Sequence, residues 1–200
     1  MKYPKFYDTI ETIKVVDPLS NILGAFEHGK YEFSYLDVVK AAGHSCPTVA
    51  GAYLMTLEAM NSLYPEAPMI RGSVKVEFKE SLEDDVAGVI ANLISQITGA
   101  TDKSGFKGLA GKFSRHSLMD FSANIESSVR FTRVDNAKSV DVFYNPSAIV
   151  ADERMQPLMK KMMQSSATQD ELEEFGTLWQ DRVKRIFENI ESVILCKGRE

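Results

Sequence analysis

The chain has 200 residues, of which 44 % are hydrophobic and 26 % are charged, and its formal net charge is −5. This composition is typical of a globular domain that fills a hydrophobic core, and the acidic balance argues against nucleic acid or an anionic membrane as a partner. No apolar run approaches the roughly 18 residues that span a bilayer, and the first residues lack the apolar stretch of a secretory signal, so we expect a cytoplasmic protein.

The first part of the sequence predicts helices, each marked by a start or stop signal. Ser34 and Asp37 have the spacing of a capping box, and Gly43 ends the stretch that follows them. Pro47 suits the first turn of the next helix, where its missing N–H costs nothing. The helices predicted here cover residues 17–27, 34–43 and 47–63.

The middle of the sequence predicts strands around one helix. Apolar and polar residues alternate from Ile70 to Phe78, which predicts a half-buried strand. The stretch DDVAGVIANLISQITG has one apolar face and stops at Gly99, so it is predicted to be helical. Three further strands are expected in RHSLMDFSA, SVRFTRV and SVDVFY, with a hairpin turn at Asp135-Asn136 between the last two.

The last quarter of the sequence is helical in pattern. A helix is predicted from Pro157, and a longer one opens with a capping box formed by Thr168 and Glu171. Helices and antiparallel pairs without alternating βα units predict an α+β fold, with an antiparallel sheet packed against helices. We expect a core over residues 1–148 and a helical C-terminal extension of the same domain over residues 149–200.

The stretch GHSCPT, residues 43–48, brings together one of the three histidines and one of the two cysteines. Pro47 places Cys46 at or beside a helix N-cap, where amides and the helix dipole stabilise a thiolate. Cys46 therefore suits a metal ligand or a nucleophile, with His44 beside it; a buried structural cysteine is the alternative. The first turns of the following helix carry small residues, which leave room for a ligand or another backbone: Ala50, Gly51 and Ala52.

A longer stretch around this motif, YLDVVKAAGHSCPTVAGAYLMTLEAM, is similar to the signature of the FmdE-like family, which is named after formylmethanofuran dehydrogenase. In that family a helix leads into a His-Gly-His-x-Cys-Pro-Gly loop and a second helix. LISQITGATDKSGFKG resembles the family's downstream helix and its Thr-Gly-Cys-Thr loop. The resemblance covers roughly residues 34–145. It implies an α+β core, a homodimer, and a transition metal, usually zinc, held by His and Cys.

By this resemblance His44 and Cys46 are metal ligands. Ala42 stands where the family has its first histidine, and Ala100 stands where the second loop has a cysteine. A zinc site needs at least three protein ligands. We therefore expect the remaining histidines to complete the set: His116 and His28.

Two alternatives to a zinc site stay open. The first is a haem-binding or sensor protein, with a His or Cys axial ligand beside the small residues of the helix. The second is a metal-free enzyme with Cys46 as nucleophile and His44 or His116 as base.

Two further segments carry weaker signals. The loop over residues 100–114 is rich in Gly and Lys, and Lys103 and Lys112 are expected to contact an anionic small-molecule substrate, whose identity the residues do not specify. The segment MKKMMQ is rich in thioethers, which suit soft metal ions, but it is predicted mainly to fill the core and cover a helix surface.

Overall fold

The structure is a computed structural model that describes residues 1–199; Glu200, the last residue of the predicted C-terminal extension, lies outside them. The helices are α1 (Pro18–Ile22), α2 (Tyr35–Ala42), α3 (Pro47–Leu63), α4 (Ala87–Thr98), α5 (Met155–Met163), α6 (Gln169–Glu188) and α7 (Ile190–Val193). The strands are β1 (Ile13–Val16), β2 (Lys30–Phe33), β3 (Met69–Ile70), β4 (Val74–Phe78), β5 (Met119–Asp120), β6 (Val129–Arg133), β7 (Ser139–Tyr144) and β8 (Ile194–Arg199).

Helix α3 forms the centre of the hydrophobic core. It contacts α2, α4 and α6 as well as strands β6, β7 and β8, so most of its side chains are buried all round. A helix that is apolar on every side suits such a central position. Within residues 1–199, no helix is both long and apolar enough to cross a membrane.

The strands form two sheets that surround this core. The order in the smaller sheet is β2-β1-β3, and in the larger sheet it is β5-β4-β6-β7-β8. The β1–β3 and β4–β5 pairs are parallel, and the other pairs are antiparallel. The predicted α+β class is confirmed, but the expected antiparallel sheet is corrected to two mixed sheets.

The predicted strand from Ile70 to Phe78 is divided between the two sheets. β3 pairs with β1, whereas β4 joins the larger sheet. Gly72 lies between them with φ of 82°, and a Cβ there would lie 2.8 Å from Nη1 of Arg115. The turn depends on a glycine and a distant arginine, so alternation along the sequence could not reveal it.

The C-terminal segment adds both helices and a strand to the core. The predicted helical region is confirmed by α5 and α6, and α6 packs against α3. The chain then continues into β8, which pairs antiparallel with β7. The sequence pattern did not reveal this strand, because its partner is about fifty residues earlier and only the fold brings the two together.

Candidate functional site

Cys46 occupies the N-cap of α3, as the sequence predicted. Its Sγ accepts a hydrogen bond from the backbone N–H of Val49 at 3.4 Å, and Pro47 follows at the first helical position. The residue is 9 % exposed and belongs to the hydrophobic core. The thiol therefore lies at the edge of the core, with a backbone donor already directed at its sulfur.

His44 lies two residues before the cysteine and is exposed. Gly43 ends α2 in the left-handed conformation, and Nδ1 of His44 then lies 3.0 Å from the carbonyl oxygen of Ala42. If Nδ1 carries the proton, this bond leaves Nε2 as the free acceptor of the neutral ring. His44 borders an open hollow of about 530 Å³ between α2 and α4, whose other lining residues are Ala41, Ala42, Val89, Asn92, Leu93 and Gln96.

Hydrogen bonds from other elements hold the loop between these two residues. The carbonyl oxygen of Ser45 accepts from Nε1 of Trp179 at 2.9 Å and from Nε2 of Gln180 at 3.3 Å, both on α6. The hydroxyl of Ser45 lies 2.8 Å from that of Tyr35, a fully buried side chain on α2. Burial raises the pKa of Tyr35 well above its ordinary value, so this phenol stays a neutral hydrogen-bonding group.

Tyr144, on β7, holds the other side of the loop. Its hydroxyl donates to the carbonyl oxygen of Pro47 at 2.6 Å, and burial raises its pKa well above the ordinary range. Its ring fills the space beside Gly51, where a Cβ would lie only 2.2 Å from Tyr144 Cε1.

Gly51 thus makes room for a protein side chain. Ala50 and Ala52 are also fully buried. At Gly51, where room for a ligand or another backbone was expected, the ring of Tyr144 fills the space. The alternative of a haem group resting on these small residues gains no support from this packing.

The two other histidines lie outside the motif loop. His28 is exposed in a short 3-10 turn, with φ of 55°. His116 is half-buried, and its Nδ1 lies 3.0 Å from Oγ of Ser117. Each of these histidines adjoins a residue bonded to Asp17: Gly29, whose carbonyl accepts from the Asp17 amide, and Arg115, whose guanidinium pairs with the Asp17 carboxylate.

Across residues 1–199, no group of three or more His, Cys, Asp or Glu side chains is arranged to hold a metal ion. The structure thus brings His44 and Cys46 into one loop without adding His28 or His116 to them as a three-ligand group. Thiolate and imidazole are donor types that suit zinc, but two donors do not complete a tetrahedral site. The types of donor at this loop therefore suit a metal ion, but two protein donors are fewer than a complete zinc site requires.

The loop over residues 100–118 is anchored by the buried Arg115. Its exposed face carries Lys103 and Lys112, whose role towards an anionic substrate stays a prediction. Ala100, which the resemblance aligns with a cysteine of the family, is fully buried in the hydrophobic core. The expected homodimer also stays a prediction.

A second cavity borders the first turn of α3. It measures about 210 Å³, and its walls include Thr48, Ser128 and Tyr144 as well as the carboxylate residues Glu80 and Asp85. It offers polar groups for a small molecule next to the motif loop.

Sequence reasoning missed the side chains that hold the loop. Neither Trp179 nor Gln180 lies near the motif in the sequence. One signal was available: the indole N–H of a partly buried Trp usually needs an acceptor. Its target, the Ser45 carbonyl, lies more than a hundred residues away, so the pairing itself depends on the fold.

The comparisons with known proteins identify a family for this chain. A family model described as "FmdE, Molybdenum formylmethanofuran dehydrogenase operon" matches residues 41–195. The matched region includes the motif loop and also α5 and α6, beyond the end of the resemblance seen in the sequence. No curated protein matches the chain.

Proposed function

The chain belongs to the FmdE family. On that premise we propose that it is an accessory protein that binds a transition metal, preferably zinc, through His44 and Cys46. Two protein donors leave the other coordination positions to water or small ligands, so the metal is held exchangeably. Such a site suits delivery or sensing of a metal better than a permanent structural role.

The observation that carries this proposal is the geometry of the motif loop. The Val49 amide already donates to the Cys46 sulfur, and amide donors of this kind orient and stabilise a thiolate ligand. The contact of His44 Nδ1 with the Ala42 carbonyl fixes the ring in a similar way. Trp179 and Gln180 bond the Ser45 carbonyl, and Tyr144 bonds the Pro47 carbonyl, so the backbone that carries the two donors is restrained.

The test is a measurement of zinc affinity on untagged protein, by competition with a chromophoric chelator and by elemental analysis. We expect the wild type to take up about one zinc per chain when zinc is added, and at least a tenfold loss of affinity in Cys46→Ala and in His44→Ala. Cys196→Ala and His28→Ala are the matched controls, and both should keep the wild-type affinity. Full zinc binding by Cys46→Ala would overturn the proposal.

The Cys46 contact also favours a second candidate, a metal-free thiol enzyme. A cysteine at a helix N-cap with an amide directed at its sulfur has the setting of a nucleophile, and His44, two residues earlier in the same loop, is the base that this candidate would use. The two candidates differ in their response to metal. If zinc protects Cys46 from iodoacetamide and a chelator removes the protection, the thiol is a ligand; equal alkylation under both conditions favours the enzyme.

A further inference from the structure

Three methionines of α5 lie where methionine is not expected. Most methionines of this chain fill the core, with exposures of 5 % or less: Met55, Met60, Met69, Met119 and Met155. Met159 and Met163, in contrast, are 38 % and 79 % exposed, and Met162 between them is half-buried. We call these three residues the methionine face. Core filling accounts for Met155 but not for the methionine face.

The spacing of the methionine face makes Met162 and Met163 helical neighbours of Met159. Residues at i, i+3 and i+4 are neighbours on one side of a helix, with Cβ atoms about 5–6 Å apart. Methionine is unbranched, so three such side chains can turn their thioethers towards one point. The buried stripe of α5, Met155 and Leu158, packs against Leu178 of α6, which leaves Met159 and Met163 to solvent.

The position along the helix favours a cation. Met163 is the last residue of α5, and Gln164 is its C-cap. The carbonyl groups of a helix C-terminus carry partial negative charge and attract cations. Of the two lysines between the methionines, Lys161 is paired with Glu171, which reduces the positive charge that a bound cation would meet.

We propose that Met159, Met162 and Met163 bind one Cu(I) ion through their three thioether sulfurs. Thioethers are soft, neutral donors that select Cu(I) and its analogue Ag(I) over zinc or other harder divalent ions. The ion binds and leaves as Cu(I), so no electron is transferred and no proton is released from the ligands. This site is separate from His44 and Cys46 and does not depend on the function proposed for them.

The experiment observes each methionine separately, through the NMR signal of the methyl group bonded to its sulfur. The protein is labelled with 13C-methyl methionine and titrated with Ag(I), which needs no reductant. Once the thiols are saturated, one further equivalent should shift the methyl resonances of Met159, Met162 and Met163, whereas those of the buried Met55 and Met60 should stay in place. If the methyl resonances of these three residues do not shift, and Ag(I) is bound only at the cysteines, the proposal is overturned.

Matched variants then give the affinity. Leucine keeps the volume of methionine and removes the sulfur, so Met159→Leu and Met163→Leu should each weaken Cu(I) binding at least tenfold in competition with a chromophoric chelator under anaerobic conditions. Met155→Leu, on the buried side of the same helix, should keep the wild-type affinity. An equal loss in Met155→Leu would contradict the assignment. His44→Ala should not change the methionine shifts, which separates this test from that of the zinc proposal.

Discussion

Gly51 has no side chain, and this leaves space for the ring of Tyr144 beside the motif loop. A side chain at this position would meet the ring of Tyr144 at 2.2 Å, and the hydroxyl of that tyrosine also donates the hydrogen bond that holds the Pro47 carbonyl. A helix interior normally disfavours glycine by about 1 kcal/mol relative to alanine. The close approach of Tyr144 is a physical reason for glycine at this position.

We expect Gly51→Ala to destabilise the protein by about 1–2 kcal/mol. Overpacking costs about 1–3 kcal/mol, and the better helix propensity of alanine offsets up to about 1 kcal/mol of this. Gly176→Ala is the matched control, because Gly176 also lies in a helix, α6, and no atom lies within 4 Å of the position of its added Cβ. This variant should gain up to about 1 kcal/mol. Urea denaturation measures both, and a stabilised Gly51→Ala would show that Tyr144 does not fill this space.

Helix α6 contributes to the site through its contacts with the motif loop. Trp179 and Gln180 donate to the same carbonyl of Ser45, and Tyr7 donates to the other end of the Gln180 amide at 2.9 Å. The helix therefore restrains the loop next to the thiol, and loss of a donor should let the loop open more often.

Trp179→Phe tests this restraint, since it keeps an aromatic ring and removes the N–H. Loss of the bond costs about 1 kcal/mol, which corresponds to roughly a fivefold rise in the open population. We expect the alkylation rate of Cys46 to rise by a similar factor, measured by mass spectrometry. Cys196 serves as the internal reference, because burial raises its pKa to about 11. Thr177→Ala, on the exposed side of α6, is the matched control. Equal alkylation rates of Cys46 in Trp179→Phe and Thr177→Ala would contradict a role for Trp179 in restraining the loop.

The same elements show how far the sequence could predict the structure. The bounds of α3 and the N-cap position of Cys46 followed from Pro47, and the capping box at Ser34 gave α2, because these signals lie within a few residues of their effect. The division of a predicted strand at Gly72 and the formation of β8 depend on partners far along the chain. The hydrogen bonds from Trp179 and Gln180 to Ser45 also depend on residues far along the chain. The sequence therefore identified the thiol but not the residues that hold its loop.

At the scale of the whole molecule, one buried carboxylate joins three segments. Asp17 caps α1 through the amides of Leu19 and Ser20, pairs with Arg115 at 2.6 Å, and lies 3.3 Å from Arg71. Arg115 belongs to the loop after α4, and Arg71 belongs to the turn between the two sheets. Asp17 thus ties the smaller sheet to the loop that borders the family's second motif.

The charge of Asp17 should control stability at acid pH. Burial by itself raises the pKa of Asp17, but Arg115, the Ser20 amide and Arg71 outweigh this effect, so the pKa lies below its ordinary value. A carboxyl with a lowered pKa stabilises the folded state at pH values above its unfolded pKa of about 3.9. This contribution is lost as the pH falls through the folded pKa.

Asp17→Asn should therefore cost about 3 kcal/mol at pH 7, because it leaves a buried arginine without its carboxylate, and the difference from the wild type should shrink below about pH 4. Urea denaturation between pH 3 and pH 7 measures this. Asp135→Asn is the control: its carboxylate pairs with Arg133 but is half-exposed, so the loss should stay within about 1 kcal/mol. A penalty for Asp17→Asn that is the same at pH 3 and pH 7 would mean that the side chain acts through its shape and its capping bonds. The charged link between the smaller sheet and the Arg115 loop would then contribute little to stability.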